Sequence, residues 1–303
     1  MTETKDYLQL HFIVLLWGFS AILGLLISIP AVELVFYRTL LAFLGLLVLL
    51  LVLKVNVVLD TVTIFKLILT GFIFAGHWIL FFAAARQSNV SVTLVGMSTV
   101  TLWTAFLEPV TMKRRVRWFE VILGLVMVGG IYLIFEADLT YRKGLLMAMG
   151  SALFAALFTV INSRFVKTNH PYVINCWEML GATIATVLFF PVYLKYLSAD
   201  GILHLQATSM DWFYILVLAF MCTVYAYSAS IQLMKRLSAY TINLVINLEP
   251  VYGIILAILI FGDSEKMTPT FYLGAVIIVL AVLCYPLMNK WSNRKAMETD
   301  NFS

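Results

Sequence analysis

Ten runs of about twenty mostly apolar residues follow one another along this chain and leave little room for anything else. They cover residues 9–28, 33–53, 65–85, 90–111, 118–135, 144–163, 172–194, 211–232, 240–261 and 270–288. Each is long enough for an α-helix to cross the hydrocarbon core of a bilayer, where the backbone must satisfy its own hydrogen bonds. Of the 303 residues, 62% are hydrophobic and 12% charged. A soluble domain has about 45–50% and about 25%. The expectation is an all-α integral membrane protein with ten transmembrane helices. The connections are too short for a soluble catalytic domain.

Lysine and arginine assign the sides. With the N-terminus in the cytoplasm, the inside segments hold 14 of the 20 basic residues, including the run Lys113, Arg114, Arg115 and Arg117. The outside loops hold 5, namely Arg86, Arg142, Lys143, Lys195 and Lys266, and Arg38 lies within a span. Cytoplasmic loops carry the excess of Lys and Arg in multi-pass proteins. Both termini are therefore expected inside, in a cytoplasmic membrane. No small-residue cleavage site precedes the second span, so the first helix is expected to be retained. The net charge of +4 follows from the loop bias and gives no reason to invoke nucleic acid. Cys176, Cys222 and Cys284 all fall inside spans, which reads as packing and not as a disulfide framework or a metal site.

The chain divides near "EADLTYRKG", Glu136–Gly144, into residues 1–139 and 140–303, with five spans on each side. An offset of 150 lays Arg86 on Arg236, Ser88 on Ser238, Ser91 on Thr241 and Gly124 on Gly274. In the earlier spans the offset is 140, which lays Arg38 on Glu178 and Ala42 on Ala182. Five is odd, so the second half enters the membrane upside down relative to the first. Inverted repeats around a central cavity are a transporter architecture, because two similar halves can exchange conformations and expose one site to alternate sides. The two "LEP" triplets, at Glu108 and Glu249, are not repeat equivalents: at offset 150 Glu249 falls on Thr99.

Three stretches, "LLWGFSAILG", "VELVFYRTLLAFL" and "INLEPVYGIILAILIFGDSEKMTPTFYLGAVIIVLAV", resemble the drug/metabolite transporter superfamily, EamA type. The last resembles the segment closing each family repeat, where a proline-containing apolar helix runs into a G-[ED]-x loop and then a glycine-led helix. In the first half, "FLEPVTMKRRVRWFEVILG" replaces that loop with a basic run. The resemblance implies ten helices, a central cavity, and export or exchange of small metabolites; no cofactor is expected.

Several polar residues inside the spans are candidates for the cavity. In span nine Asn243, Asn247 and Pro250 share one helical face, and Glu249 lies on another. The asparagines either line a cavity or bond neighbouring helices. Pro250 deletes one helix hydrogen bond. A carboxylate in the hydrocarbon costs about 2.5–3.5 kcal/mol on insertion scales, so Glu249 needs a reason to be there: proton coupling, or a fixed interhelical hydrogen bond. In span four Met97, Thr101, Thr104, Glu108 and Thr111 recur at helical spacing. Their alternatives are a polar stripe on the cavity or hydroxyls bonded back to their own helix, with Glu108 reaching toward Lys113. Arg38 and Glu178 either pair as a clamp or gate or reach for the headgroups. His77, equivalent to Tyr227, is either a proton carrier or a hydrogen-bonding group. Trp17, Trp78 and Trp103 either form an aromatic wall or face lipid.

The expected function is secondary transport: export of a small, amino-acid-like or otherwise amphipathic metabolite by alternating access, with proton coupling as an additional expectation. No G-x-x-x-x-G-K-[ST] loop supports ATP-driven transport. An importer of the same fold is the alternative. A lipid-modifying membrane enzyme requires acid/base or metal ligands clustered at one membrane face, and a scaffold or receptor gives no reason for buried asparagines and glutamate.

Overall fold

The computed structural model describes residues 4–300 apart from 113–116, 138, 234–244 and 247; the side chains of 108–112, 135, 137, 163, 231, 286, 289 and 293–300 also lie outside the description. The described chain is helical, with no strand. Its helices are α1 (Thr4–Leu26), α2 (Ala31–Val52), α3 (Thr61–Gln87), α4 (Val90–Met97), α5 (Val100–Met112), α6 (Trp118–Ala137), α7 (Arg142–Phe165) and α8 (Pro171–Tyr196). Then follow α9 (Ser209–Leu216), a π-helical segment (Val217–Tyr225), α10 (Ala226–Leu233), α11 (Glu249–Phe261) and α12 (Pro269–Asp300). Among the described residues, 8 helical stretches are long and apolar enough to cross a membrane, α4 with α5 and α9 with α10 each counting as one. The apolar helix Trp118–Ile134 is shorter, and α11 has 13 residues.

Large apolar side chains such as Leu51, Leu125, Leu188, Leu259 and Leu280 are exposed on the outside of the bundle. In water such a surface is an aggregation site, and in a bilayer it faces lipid chains. The charged residues Glu33, Arg38 and Glu178 are buried instead. Intramembrane charge is held inward, away from hydrocarbon.

The strongest packing joins α3 to α7 and α8, α6 to α12, and α2 to α8. Close approach sets the α3–α8 contact: a Cβ on Gly71 runs into the Glu178 carbonyl, and one on Gly181 into the Ile68 backbone. Small residues let two helix backbones meet in this way where no hydrophobic force drives them together.

Two spans depart from regular helix. Span four breaks between α4 and α5 at Ser98 and Thr99, whose hydroxyls bond the Val95 and Gly96 carbonyls of the preceding turn at 2.6 and 2.7 Å. The spaced stripe from Met97 onward is thus split between two helices. Span eight carries the π segment, in which the Thr223 hydroxyl bonds the carbonyl of Leu218, five residues back, at 3.0 Å. A π turn holds an extra residue and re-aims the side chains after it.

Pro250 is the second residue of α11, which follows a turn at Leu248. A helix start tolerates proline because that N–H has no intrahelical acceptor.

Candidate functional site

The helices enclose a cavity of about 290 Å³ at the centre of the bundle. This lies near the lower end of the roughly 300–1,000 Å³ typical of small-molecule sites. Its wall joins α1 (Trp17, Ser20), α2 (Arg38), α3 (Phe74, His77, Trp78, Phe81), α7 (Phe158, Thr159, Asn162), the π segment and α10 (Cys222, Thr223, Tyr227, Ser230), and the start of α11 (Glu249). These positions lie at different depths in the bundle. Val166, just past the end of α7, marks one end of the lining, on the face where α1 begins. Arg38 and Phe81 lie toward the opposite face.

Aromatic rings form much of the wall. Phe74 stacks on Phe158 at 3.8 Å between centroids, meets Tyr227 edge-on at 5.6 Å and lies 5.5 Å from Trp78. The Arg38 guanidinium sits over Trp78, 4.1 Å from the ring centroid. Its Nε donates to Thr223 Oγ1 at 3.0 Å, an acceptor that the π segment brings into place. Across the cavity, Asn162 Nδ2 donates to the Tyr227 hydroxyl at 2.7 Å, and that hydroxyl donates to Glu178 Oε2 at 3.4 Å. Arg38 and Glu178 therefore use separate partners and form no ion pair. His77 Nδ1 lies 3.0 Å from the Ser151 carbonyl and 2.8 Å from its hydroxyl. A carbonyl only accepts, so this network assigns the ring proton to Nδ1. Trp17 Nε1 donates to the Cys222 carbonyl at 3.2 Å, holding α1 against the π segment. A Cβ on Gly18 comes within 3.1 Å of the Glu249 carbonyl, so α1 and the start of α11 touch beside Trp17.

Of the residues singled out from sequence, Trp17, Arg38, His77, Trp78, Met97, Tyr227 and Glu249 line this cavity, and Glu178 reaches it through Tyr227. Trp103 and Thr104 lie outside the lining. Trp103 Nε1 donates to the Met149 carbonyl at 3.1 Å, and the Thr104 hydroxyl bonds back to Val100 at 2.8 Å. Pro250 is buried beside Glu249 but does not line the cavity. Asn243, Asn247 and the side chain of Glu108 lie outside the described residues.

A second polar constellation was missed from sequence. On the face opposite the start of α1, buried carboxylates tie the two halves of the chain together. Glu265 accepts from the Val90 and Ser91 N–H groups, both at 2.9 Å, and from the Ser91 hydroxyl at 2.7 Å. Asp211 accepts from Ser28 N at 2.7 Å and Ser28 Oγ at 2.6 Å. Glu33 accepts from His204 N at 3.2 Å. Glu265 sits on the N-terminal end of α4, where free N–H groups and the helix dipole favour an anion. Asp211 left a local signal, the Thr208-x-x-Asp211 capping box of α9. The partners across the halves left none, because they are about 170–180 residues apart.

The EamA-like transporter family model matches residues 6–136 and 142–285, nearly the whole chain. The chain belongs to the EamA-like transporter family. It is 25% identical over 213 residues to the uncharacterized transporter YwfM of Bacillus subtilis (strain 168), covering 67% of each chain. It is 23% identical over 224 residues to an uncharacterized transporter of Clostridium kluyveri, covering 70% of this chain and 67% of that one. A solved crystal structure superposes with a TM-score of 0.64 over 95% of this chain and 98% of its own, at 14% identity, a likeness of fold. Family, apolar helices and relatives agree on a multi-pass membrane transporter.

Proposed function

We propose that this protein exports a small amphipathic metabolite across the cytoplasmic membrane by secondary transport, alternating access to one central site between two inverted five-helix halves. The central observation is the cavity itself, about 290 Å³, walled by both halves and lined with aromatic, cationic and acidic side chains. A scaffold gains nothing from such a space at membrane depth.

The packing partners support the two-fold reading. α3 lies on α7 as α1 lies on the π segment and α10; α3 lies on α8 as α2 lies on the π segment; and α5 lies on α7 as α1 lies on α11. The pairs α2–α8, α4–α11 and α6–α12 join equivalent spans. Exchanging residues 1–139 with 140–303 maps these pairs onto one another, as expected for ten spans arranged as two copies of one five-helix pattern. Under the positive-inside orientation, the face bearing Glu265, Asp211 and Glu33 is the outer one. Its bonds between the halves then keep the exit shut, while the cavity lining runs toward the cytoplasm at Val166. In this reading Glu249 is the coupling carboxyl, protonated when shut off from water and ionised when wetted.

Comparing metabolites in the medium and cytoplasm of cells with and without the protein tests this function. A small amphipathic compound is expected to be several-fold more abundant outside cells that make the protein. The reverse pattern, depletion from the medium, overturns the export direction.

A further inference from the structure

We propose that Arg38 anchors the carboxylate of a monoanionic substrate whose flat apolar body lies along the aromatic wall; this inference rests on the transporter reading and names the substrate class of the same cavity. Arg38 is 3% exposed and lies within α2, so its charge is held away from water and lipid alike. A buried charge requires a compensating partner, and the protein supplies only part of one. Among the described residues the guanidinium makes one hydrogen bond, from Nε to Thr223. Its face is covered by Trp78 and, among the described residues, its Nη1 has no partner. Glu178, the carboxylate in the equivalent helix, is bonded to Tyr227 instead. The terminal nitrogens are the end of the fork that fits the two oxygens of a carboxylate.

The rest of the wall selects the remainder of the ligand. Trp78, Phe74 and Phe158 form a continuous aromatic surface leading away from Arg38. That surface favours a planar apolar body. At its far side stand Tyr227 and Glu178, with one Glu178 oxygen, Oε1, unpartnered. Thr223, which holds Arg38, and Tyr227, which holds Glu178, are four residues apart, about 6 Å along a helix axis. Glu249 adds a second carboxyl to the wall. Neither carboxyl offers a cation to a second carboxylate, so the cavity selects monocarboxylates over dicarboxylates.

Binding to the purified full-length protein in detergent at neutral pH tests this, with the fluorescence of the cavity tryptophans Trp17 and Trp78 as readout. The probes are phenylacetate, its neutral isostere phenylacetamide, and the dianion of 4-carboxyphenylacetic acid. Phenylacetate is expected to bind at least tenfold more tightly than either of the others. Arg38→Gln is expected to erase the preference over phenylacetamide while still binding phenylacetamide, and Arg38→Lys to retain part of it. Absence of phenylacetate binding, equal native affinities, or a full preference in Arg38→Gln overturns the proposal. Should Arg38→Gln not fold, the native comparison and Arg38→Lys decide, equal affinities or an undiminished preference in the lysine variant counting against it. No gradient enters this measurement, so its failure leaves transport itself standing, and a failure of transport is read separately from flux.

Discussion

Glu265→Ala is expected to unlatch the face bearing Glu265, Asp211 and Glu33, the outer one in the proposed orientation, and to raise its opening about a hundredfold. The side chain is 1% exposed and bridges α4 to the loop after α11, with three hydrogen bonds to Val90 and Ser91. A hydrogen bond to a charged group contributes about 1.5–3 kcal/mol. In the shut form the substitution leaves two N–H groups at a helix start without partners. In the open form water reaches them. The penalty therefore falls on the shut form, and about 3 kcal/mol of differential stability corresponds to roughly a hundredfold in population. Cys222 lines the cavity and reports the change. With Cys176 and Cys284 replaced by serine, a membrane-impermeant thiol reagent added from outside is expected to modify Cys222 at least tenfold faster in Glu265→Ala, with Glu265→Gln intermediate. Transport should fall with the loss of the shut state. Equal rates in all three proteins would show that this carboxylate does not hold the gate.

Glu249→Gln is expected to abolish the response of transport to a proton gradient. The residue opens α11, lines the cavity, and lies against Gly18 of α1 through its carbonyl. Its carboxyl is an ionisable group at the junction of α1 and α11, two helices drawn from opposite halves, where His11 Nδ1 also lies 2.8 Å from the Tyr252 hydroxyl. Glutamine has the shape of the neutral acid and releases no proton. Gradient-driven flux should therefore drop to the rate seen without a gradient, while exchange between equal concentrations persists. A glutamine variant that follows the gradient as the native protein does would assign Glu249 a fixed hydrogen-bonding role.

Hydropathy made the helices legible because crossing a bilayer is decided by a sum over about twenty side chains, whatever they touch. The wall of the cavity was legible in part for a related reason: a polar or aromatic residue such as Arg38, His77 or Tyr227 inside an apolar run is costly to bury without purpose. What it bonds was not legible. Arg38 and Glu178 read from sequence as equivalent positions, yet one rests on Thr223 and the other on Tyr227. That choice depends on a π segment whose residues, "VLAFMCTVY", look like any other apolar run. The same limit applies to span four. Ser98 and Thr99 read as ordinary helix residues but end one helix and start the next. Glu265 was visible as an acidic loop residue, but its bonds to Val90 and Ser91 arise only when the two halves fold together.

Flux from vesicles tests the central claim most directly. Purified protein is reconstituted into liposomes loaded with the small-molecule extract of the cells that make it, a proton gradient is imposed, and the compounds released are identified by mass. Native protein is expected to release a narrow set of small amphipathic molecules at least tenfold faster than empty liposomes. The same release from native and empty vesicles, for every compound in the extract, would contradict the account.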